Sequence, residues 1–369
     1  MKKIRKGGQV DIILFATILI LLAIGVVMIY SASSYSALYK EKDSMFYLKR
    51  QLIWSILGIV AMIFTTLIDH SKIRRLTGLL MIVSIPLLFM PFLWDPINGA
   101  YRWIQLGFIS FQPSELVKYV VVLYLANSIT NKGERIKSLV YGIFPALFVA
   151  GMYAGIILVQ KNLSIAAVIM MTTIVMLFVG GAKNSQMFTL LPAVGAAGVY
   201  FALSTPYRRE RVLSFLDPFK DAAGSGYQVI QSWYALGSGG ILGLGLGNSR
   251  QKAFYMPEPH TDFIFSIIGE ELGLIGCLFI ILLFIIFAWR GVTIAYKAKD
   301  AYSSLLAVGI TSIIIIQAAI NIAVVTGSMP VTGVPLPFIS YGGSSLLLNM
   351  LAMGILLNIS KQNDKTALL

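Results

Sequence analysis

The chain has 369 residues, of which 57% are hydrophobic and only 12% are charged, and its mean hydropathy is +0.81. A soluble domain carries about 25% charged residues, so this composition excludes an ordinary soluble protein and indicates a membrane protein. The formal net charge of +13 is divided among many loops, so it does not indicate nucleic-acid binding.

Apolar runs of about 20 residues recur along the chain, and each is long enough to cross a hydrocarbon core of ~30 Å as a helix. In chain order the predicted spans cover 10–32, 51–68, 77–94, 114–130, 139–159, 163–181, 187–204, 263–289, 302–325 and 340–360. The sequence therefore predicts an all-α polytopic membrane protein with ten transmembrane helices. We expect one integral membrane domain over residues 1–369.

Lysine and arginine residues are concentrated on one predicted side of the membrane. With the N-terminus inside, the inner segments hold Lys2, Lys3, Arg5, Lys6, Lys72, Arg74, Arg75, Lys132, Arg135, Lys137, Lys183, Arg290, Lys297, Lys299, Lys361 and Lys365. The positive-inside rule then predicts a multi-pass protein of the cytoplasmic membrane with both termini in the cytoplasm. These cations would face anionic lipid headgroups.

Two long connections, 95–113 and 205–262, and a third segment rich in glycine and proline, 326–339, are predicted on the outer face. Connections longer than about 15 residues are uncommon and usually carry function. The longest lies between the seventh and eighth spans. It begins with arginine residues that we expect to form the end of a helix, and its glycine-rich stretch 227–248 is expected to dip into the membrane without crossing it.

Asp262 ends this long loop, directly before the eighth span. One interpretation is a helix N-cap, which would lower the pKa of the carboxyl group. The other is a general base, or a ligand for a divalent cation, at the outer water–lipid boundary. His260 lies in the same proline-rich turn and is a candidate substrate-binding residue, although a lone histidine there is more often structural.

The eighth span also carries two glutamates. Steps of four residues from Asp262 reach Ser266 and Glu270, which predicts one polar stripe along an apolar helix. Each of Glu270 and Glu271 costs about 2.5–3.5 kcal/mol at the bilayer centre, so partners are expected. They are either hydrogen-bonded between helices or part of a functional site.

Glu115 and Lys118 open the fourth span on the outer side, three residues apart on one helix face. They form either an ion pair that makes insertion tolerable, or a cation offered to an anionic headgroup and held by the glutamate. The predicted topology places the pair at the level of Asp262, which favours the functional interpretation.

Other outer residues suit a diphosphate or a sugar. Guanidinium groups bind phosphate through two parallel hydrogen bonds, and backbone N–H groups and hydroxyls bind either ligand. The candidate substrate-binding residues are Arg102, Arg208, Arg211, Lys252, His260, Ser340, Tyr341, Gly342, Gly343 and Ser344.

Together these motifs resemble those of the SEDS family (shape, elongation, division and sporulation), the group of FtsW, RodA and SpoVE, and are more similar to FtsW and SpoVE. The resemblance covers nearly the whole chain. The motifs that carry it are Tyr101-Arg-Trp-Ile, Gln112-Pro-Ser-Glu-Leu-Val-Lys118, Arg211 through Asp217-Pro218, Gly226-Tyr-Gln-Val-Ile-Gln-Ser232, Gly237-Ser-Gly-Gly240, Gln251-Lys252, Pro257-Glu-Pro-His-Thr-Asp-Phe-Ile-Phe265, and Pro335 through Ser344.

The resemblance implies a glycosyltransferase that polymerises lipid II, the undecaprenyl-diphosphate-linked disaccharide pentapeptide, for division or sporulation. It also implies a class B penicillin-binding transpeptidase partner and a divalent cation, Mg²⁺ or Mn²⁺, which Asp262 is a candidate to bind. Asp262, Glu115 and Lys118 match family positions important for activity. The chain departs at Gln160-Lys161-Asn162, where the family commonly has Gln-Pro-Asp. A lipid II flippase and a non-catalytic scaffold of a division complex remain alternatives.

Overall fold

The structure, a computed structural model, describes residues 8–362 except positions 98 and 108. The predicted inner cations at positions 2, 3, 5, 6 and 365 lie outside the described residues. The α-helices are α1 (Ile12–Glu41), α2 (Phe46–Leu67), α3 (His70–Phe89), α4 (Pro113–Lys132), α5 (Phe144–Val159), α6 (Leu163–Val179), α7 (Asn184–Leu203), α8 (Pro206–Leu216), α9 (Tyr227–Gly239), α10 (Ile264–Tyr296), α11 (Ala301–Val325) and α12 (Gly343–Gln362).

Shorter elements complete the fold. Antiparallel strands β1 (Ile104–Leu106) and β2 (Ile109–Phe111) form a hairpin before α4, with Gln105 opposite Ser110. Single turns of 3₁₀-helix cover Met90–Leu93, Gly133–Lys137 and Pro218–Asp221, and a π-helical turn, Leu139–Ile143, leads into α5.

Each predicted span coincides with an α-helix, which confirms the all-α membrane fold. Within the described residues, 8 helices are long and apolar enough to cross a membrane. Helix α6 is apolar but has 17 residues, and α4 carries Glu115 and Lys118 inside its first turns. The count of ten spans therefore stays a prediction.

The long loop contains two helices of its own. Helix α8 is separate from α7 because Thr205 between them adopts extended backbone angles (φ −125°, ψ 144°). The expectation that its arginines form the end of a helix was therefore wrong. Helix α9 follows a turn rich in glycine and runs back against α10.

Helix α10 is broken in its first third, and the glycine-rich loop after α9 fits into the break. Gly273 lies in the left-handed region (φ 67°), which interrupts the helical hydrogen bonds. The Glu270 carbonyl instead accepts from the Leu244 N–H at 2.9 Å, and the Gly240 carbonyl accepts from the Leu274 N–H at 2.9 Å. Non-helical backbone in a membrane protein needs such partners from protein, so this pairing fits the expected re-entrant loop.

The buried centre of the bundle lies around α4, α11 and α12. Most of the residues of α11 and α12 are buried, whereas α7 is exposed along nearly its whole length. Several polar side chains face this centre, namely Glu115, Lys118, Gln317, Asn321 and Asn349. Buried polar groups need partners inside the protein, and their partners locate the site.

Candidate active site

Asp262 does not cap α10, so the N-cap interpretation was wrong. The helix begins at Ile264, the capping position is Phe263, and no side chain there accepts a hydrogen bond from the first turn. Asp262 instead lies in the approach to the helix, where it is half-buried. Its carboxyl group is therefore available for another purpose.

The surroundings of Asp262 raise the pKa of its carboxyl group to about 6, opposite to the direction expected for a cap. Burial is the main cause, because it disfavours the charged form, and the negative charge of Glu258 adds to it. The positive charges of Arg211 and Arg102 act against this rise. Two of the predicted substrate-binding arginines thus lie close enough to the carboxyl group to influence it.

The segment between α11 and α12, residues 326–342, forms the opposite wall. Gly333 has φ 72°, and a Cβ at that position would lie 3.2 Å from Asp262 Oδ2. Arg211 Nη1 donates to the Val331 carbonyl at 3.3 Å, and the Arg102 guanidinium donates to the Lys161 carbonyl. The Asp262 carboxyl group and Arg211 therefore both approach this segment, whereas Arg102 is held at the connection between α5 and α6.

Residues 335–342 are joined to the turn that precedes Asp262. The His260 carbonyl accepts from the Tyr341 N–H at 2.9 Å, and the Thr261 carbonyl accepts from Ser340 Oγ at 2.7 Å. Ser340 and Tyr341 therefore contact the turn before Asp262 through its backbone carbonyls, and their role in substrate binding stays a prediction. Gly343 serves packing, because a Cβ there would lie 2.2 Å from Trp54 Nε1.

His260 is a buried, uncharged residue of this turn. Its ring contacts Tyr47 and Tyr341, with centroids 4.3 Å and 5.5 Å away. Burial, with a contribution from the positive charge of Lys40, lowers the pKa of His260 to about 4, so the imidazole is neutral near pH 7. A packing role explains these contacts, and the structure does not present the ring at an open surface.

Glu115 and Lys118 form the predicted ion pair, with Nζ 2.7 Å from Glu115 Oε2 and both side chains buried. Lys118 Nζ also donates to Gln317 Oε1 at 2.9 Å and Asn349 Oδ1 at 3.3 Å. Ser345 Oγ donates to Glu115 Oε2 at 2.8 Å. Every ammonium hydrogen thus has an acceptor inside the protein, so Lys118 is a fixed internal charge in this conformation.

A small cavity of about 10 Å³ lies between partners of this ion pair and the 326–342 segment. Its lining combines partners of the ion pair with residues predicted to bind substrate: Pro335, Leu336, Pro337, Phe338, Ser340, Gly342, Ser345, Leu346 and Asn349. Ser344 is buried beside it at the start of α12. The two predicted clusters therefore belong to one end of the bundle.

Lys252 lies elsewhere, inside a buried network at the break in α10. Nζ donates to Glu271 Oε1 at 2.8 Å and to Ser31 Oγ at 3.1 Å, and the residue is 2% exposed. Glu270 accepts from the Arg250 N–H at 2.9 Å and from Ser249 Oγ. Both glutamates are thus hydrogen-bonded, but only Glu271 has a partner on another helix, Ser31, whereas Glu270 bonds to the long loop. Lys252 anchors that loop instead of facing Asp262.

Arg208 and Asn162 are both held by hydrogen bonds to neighbouring elements. Arg208 Nη2 donates to the Leu158 carbonyl and Nη1 to the Phe201 carbonyl, both at 3.3 Å, so the side chain ties α8 to α5 and α7. Asn162, where the family commonly has aspartate, caps α6 and donates to Ser114 Oγ at 3.4 Å. An amide beside Ser114 therefore occupies the position where the family commonly has an acid.

The chain offers little protein ligation for a divalent cation. No group of three or more His, Cys, Asp or Glu side chains converges within the described part of the chain. Mg²⁺ commonly takes one or two carboxylates and completes its shell with water and substrate phosphates. Asp262 supplies one such carboxylate, so a divalent cation at this position stays a prediction.

Comparisons with known proteins agree along almost the full length. The family model FTSW_RODA_SPOVE, described as "Cell cycle protein", matches residues 11–365. Stage V sporulation protein E of Bacillus subtilis (strain 168) is 47% identical over 96% of this chain and 98% of that protein. The "Probable peptidoglycan glycosyltransferase FtsW" of Trichlorobacter lovleyi is 42% identical over 98% of this chain and 95% of that protein.

Solved structures share the fold. A chain from work on structural coordination of polymerization and crosslinking by a peptidoglycan synthase complex matches with a TM-score of 0.81 at 29% identity, covering 96% of this chain and 99% of that chain. The Thermus thermophilus rod shape determining protein RodA matches with a TM-score of 0.72 at 26% identity. The match covers 96% of this chain and 97% of the RodA chain.

Proposed function

The chain belongs to the FtsW/RodA/SpoVE family of cell cycle proteins, and on that premise we propose that it is a peptidoglycan glycosyltransferase that polymerises lipid II. The observation that carries this proposal is the half-buried Asp262 carboxyl group, placed at one end of the bundle beside Arg102 and Arg211. A base and two cations at one boundary match what glycosyl transfer from a lipid-linked diphosphate requires.

Asp262 acts as the general base in this proposal. A sugar hydroxyl of the acceptor attacks the anomeric carbon of the donor, a new carbon–oxygen bond forms, and the hydroxyl proton moves to the carboxylate. A carboxylate with a pKa near 6 is a stronger base than an ordinary aspartate and is still ionised at pH 7. The partial burial that raises the pKa therefore suits the role.

The leaving group is undecaprenyl diphosphate, which departs with the electron pair of the broken carbon–oxygen bond. Arg102 and Arg211 supply positive charge where that negative charge develops. In the alternative role, Asp262 would hold a Mg²⁺ or Mn²⁺ ion instead of acting as the base, and that ion would supply charge stabilisation for the leaving group. Lys118 is neutralised by Glu115 inside the bundle, so we assign this pair a structural contribution to the site.

The chemistry of the lipid-linked donor also indicates where the protein acts. A polyprenyl tail stays in lipid, so we place the protein in the cytoplasmic membrane with both termini inside and Asp262 at the outer face. A class B penicillin-binding transpeptidase is the proposed partner, which the match to a chain of a peptidoglycan synthase complex supports.

The test uses purified protein with its transpeptidase partner, lipid II, and Mg²⁺ or Mn²⁺. We expect glycan polymer from the wild type, and a loss of at least about 100-fold in Asp262→Asn, which keeps the shape but removes the base. The matched control is Asp221→Asn, an exposed acid of the same loop whose side chain bonds within its own turn, chiefly to Ser225, and which should keep full activity.

The same preparation separates the alternatives. Transfer of lipid II across a vesicle without polymer would identify a flippase and contradict the proposal. Neither polymer nor transfer, with the transpeptidase still bound, would identify a scaffold. Undiminished polymer from Asp262→Asn would remove the base assignment.

A further inference from the structure

Asn321 of α11 connects the two segments that form the Asp262 site. Its side chain is buried, with 1% of its surface exposed. Nδ2 lies 2.8 Å from the Asp262 carbonyl and 2.7 Å from the Val334 carbonyl, so one amide group donates to both. Asn321 therefore bridges the turn before α10 and the 326–342 segment, beside the two bonds that Ser340 and Tyr341 make between them.

The turn before α10 is held at three successive carbonyls. Those of His260 and Thr261 accept from Tyr341 and Ser340, and that of Asp262 accepts from Asn321. None of the three is in the hydrogen-bond ladder of α10, which begins two residues later. The backbone that orients the Asp262 side chain is therefore fixed by α11 and the segment after it.

The 326–342 segment is held in a similar way from three helices. Ser164 of α6 donates to the Thr332 carbonyl, Arg211 of α8 to Val331, and Asn321 to Val334. Gly333 lies between these anchored residues and faces Asp262 Oδ2. The position of this backbone against the carboxyl group thus depends on the Asn321 amide as well as on Arg211.

Helix α11, which carries Asn321, contacts both Asp262 and the buried ion pair. Gln317, one helical turn earlier on α11, accepts from Lys118 Nζ at 2.9 Å. Residues four apart lie on the same face of a helix. A single rigid helix therefore carries the contact to the internal cation and the contact to the proposed base.

We propose that Asn321 is a positioning residue of the glycosyltransferase site, which holds the Asp262 backbone and the Gly333 backbone in register for the reaction. This inference rests on the proposed function of Asp262. Asn321 touches neither reacting group, and it acts through the backbone of Asp262. Displacement of a catalytic group by about 1 Å can cost on the order of 100-fold in rate, so loss of this contact should reduce kcat.

The test compares Asn321→Leu with Asn358→Leu in the complex with the transpeptidase partner. Leucine keeps the approximate volume and removes both donors. Asn358 is the matched control because it is also buried and its Nδ2 donates to a carbonyl, that of Thr66 at 2.9 Å, at the opposite end of the bundle. Both variants lose a buried amide, but only one loses contact with Asp262.

We expect Asn321→Leu to lower kcat for lipid II polymerisation on the order of 100-fold with little change in KM, whereas Asn358→Leu keeps both values when corrected for folded protein. Hydrogen exchange should accelerate in peptides covering 258–264 and 329–336 of Asn321→Leu only. If Asn321→Leu does not accumulate, Asn321→Ser, which keeps one donor, is measured and should lie between wild type and complete loss.

Equal kcat losses in Asn321→Leu and Asn358→Leu would overturn the inference, because they would report general destabilisation. Unchanged exchange in both peptides of Asn321→Leu would overturn it as well. Absence of polymer from the wild type would instead contradict the proposed function, and the exchange result would still decide whether Asn321 holds the two segments.

Discussion

Asp262 shows how one residue of offset changes the chemistry of a carboxyl group. At the first position before a helix it would accept backbone N–H bonds and have a low pKa. Because α10 begins at Ile264, Asp262 lies outside the cap and is half-buried, and its pKa rises to about 6. The position of Asp262 relative to the start of α10 therefore decides whether its carboxyl group caps the helix or is a candidate base.

This pKa predicts how polymerisation depends on pH. The base must be ionised, so the rate should rise with pH through a midpoint near 6 and level off above about 7, at a fixed metal concentration. Folding raises this pKa above its ordinary value of 3.8, so the native state binds more protons between about pH 4 and 6. The contribution of Asp262 to the free energy of unfolding should therefore fall as pH rises through that range.

Initial rates of polymerisation from pH 5 to 8 check the first expectation. His260 titrates near pH 4 and should not contribute in that range. A rate that stays constant between pH 5 and 7 would contradict the assignment of Asp262 as the base.

At the scale of elements, the broken helix α10 and the glycine-rich loop form one unit. The loop supplies N–H groups to the carbonyls that the break leaves free, and its carbonyls accept from the N–H groups beyond the break. Lys252, Glu270 and Glu271 then fix the return of the loop toward Asp262. Spacing along α10 indicated that the acids needed partners, but it did not indicate that the loop supplies them.

A substitution at Gly243 would test whether the broken helix and the glycine-rich loop depend on each other. Gly243 has φ 81°, and a Cβ would lie 2.2 Å from the Glu271 carbonyl oxygen, so Gly243→Ala combines backbone strain with a clash. We expect a drop of several degrees in the unfolding temperature in detergent, measured by intrinsic fluorescence. Gly237→Ala is the matched control, since it lies in helix α9 with nothing within 4 Å of its Cβ, and alanine should be neutral or stabilising there. Equal unfolding temperatures for Gly243→Ala and Gly237→Ala would contradict the packing of the loop into the break of α10.

At the scale of the whole molecule, the candidate site and the predicted cytoplasmic cations belong to opposite ends of the bundle. The positive-inside rule predicts that the cation-rich end is cytoplasmic, so the candidate site is predicted to face outward. The orientation of the chain is therefore a condition for the proposed function, and it can be measured without any activity.

Cysteine labelling checks the orientation. Lys220→Cys lies on an exposed turn of the long loop, and Lys299→Cys lies on the exposed connection between α10 and α11. We expect a membrane-impermeant maleimide to label only Lys220→Cys in intact cells, and to label both after permeabilisation. The native Cys277 is buried and serves as the unlabelled background. Labelling of Lys299→Cys in intact cells would reverse the predicted orientation.

The sequence by itself determined the features that depend on local spacing. A helix must present about 20 apolar residues to cross lipid, so the spans were visible as runs. The i, i+3 spacing placed Glu115 beside Lys118, and the structure has that pair at 2.7 Å. The outer segments 205–262 and 326–339 were also identified as the carriers of the candidate site.

Only the tertiary structure decided which distant residues meet. Lys252 pairs with Glu271 instead of facing substrate, and Asn321 and Gln317 hold Asp262 and Lys118. In a membrane protein most faces of a helix are apolar, because lipid is as apolar as a protein interior, so hydrophobic periodicity does not reveal which face turns inward. The polar partners of a buried group are therefore set by how the helices pack, and that packing is absent from any local pattern.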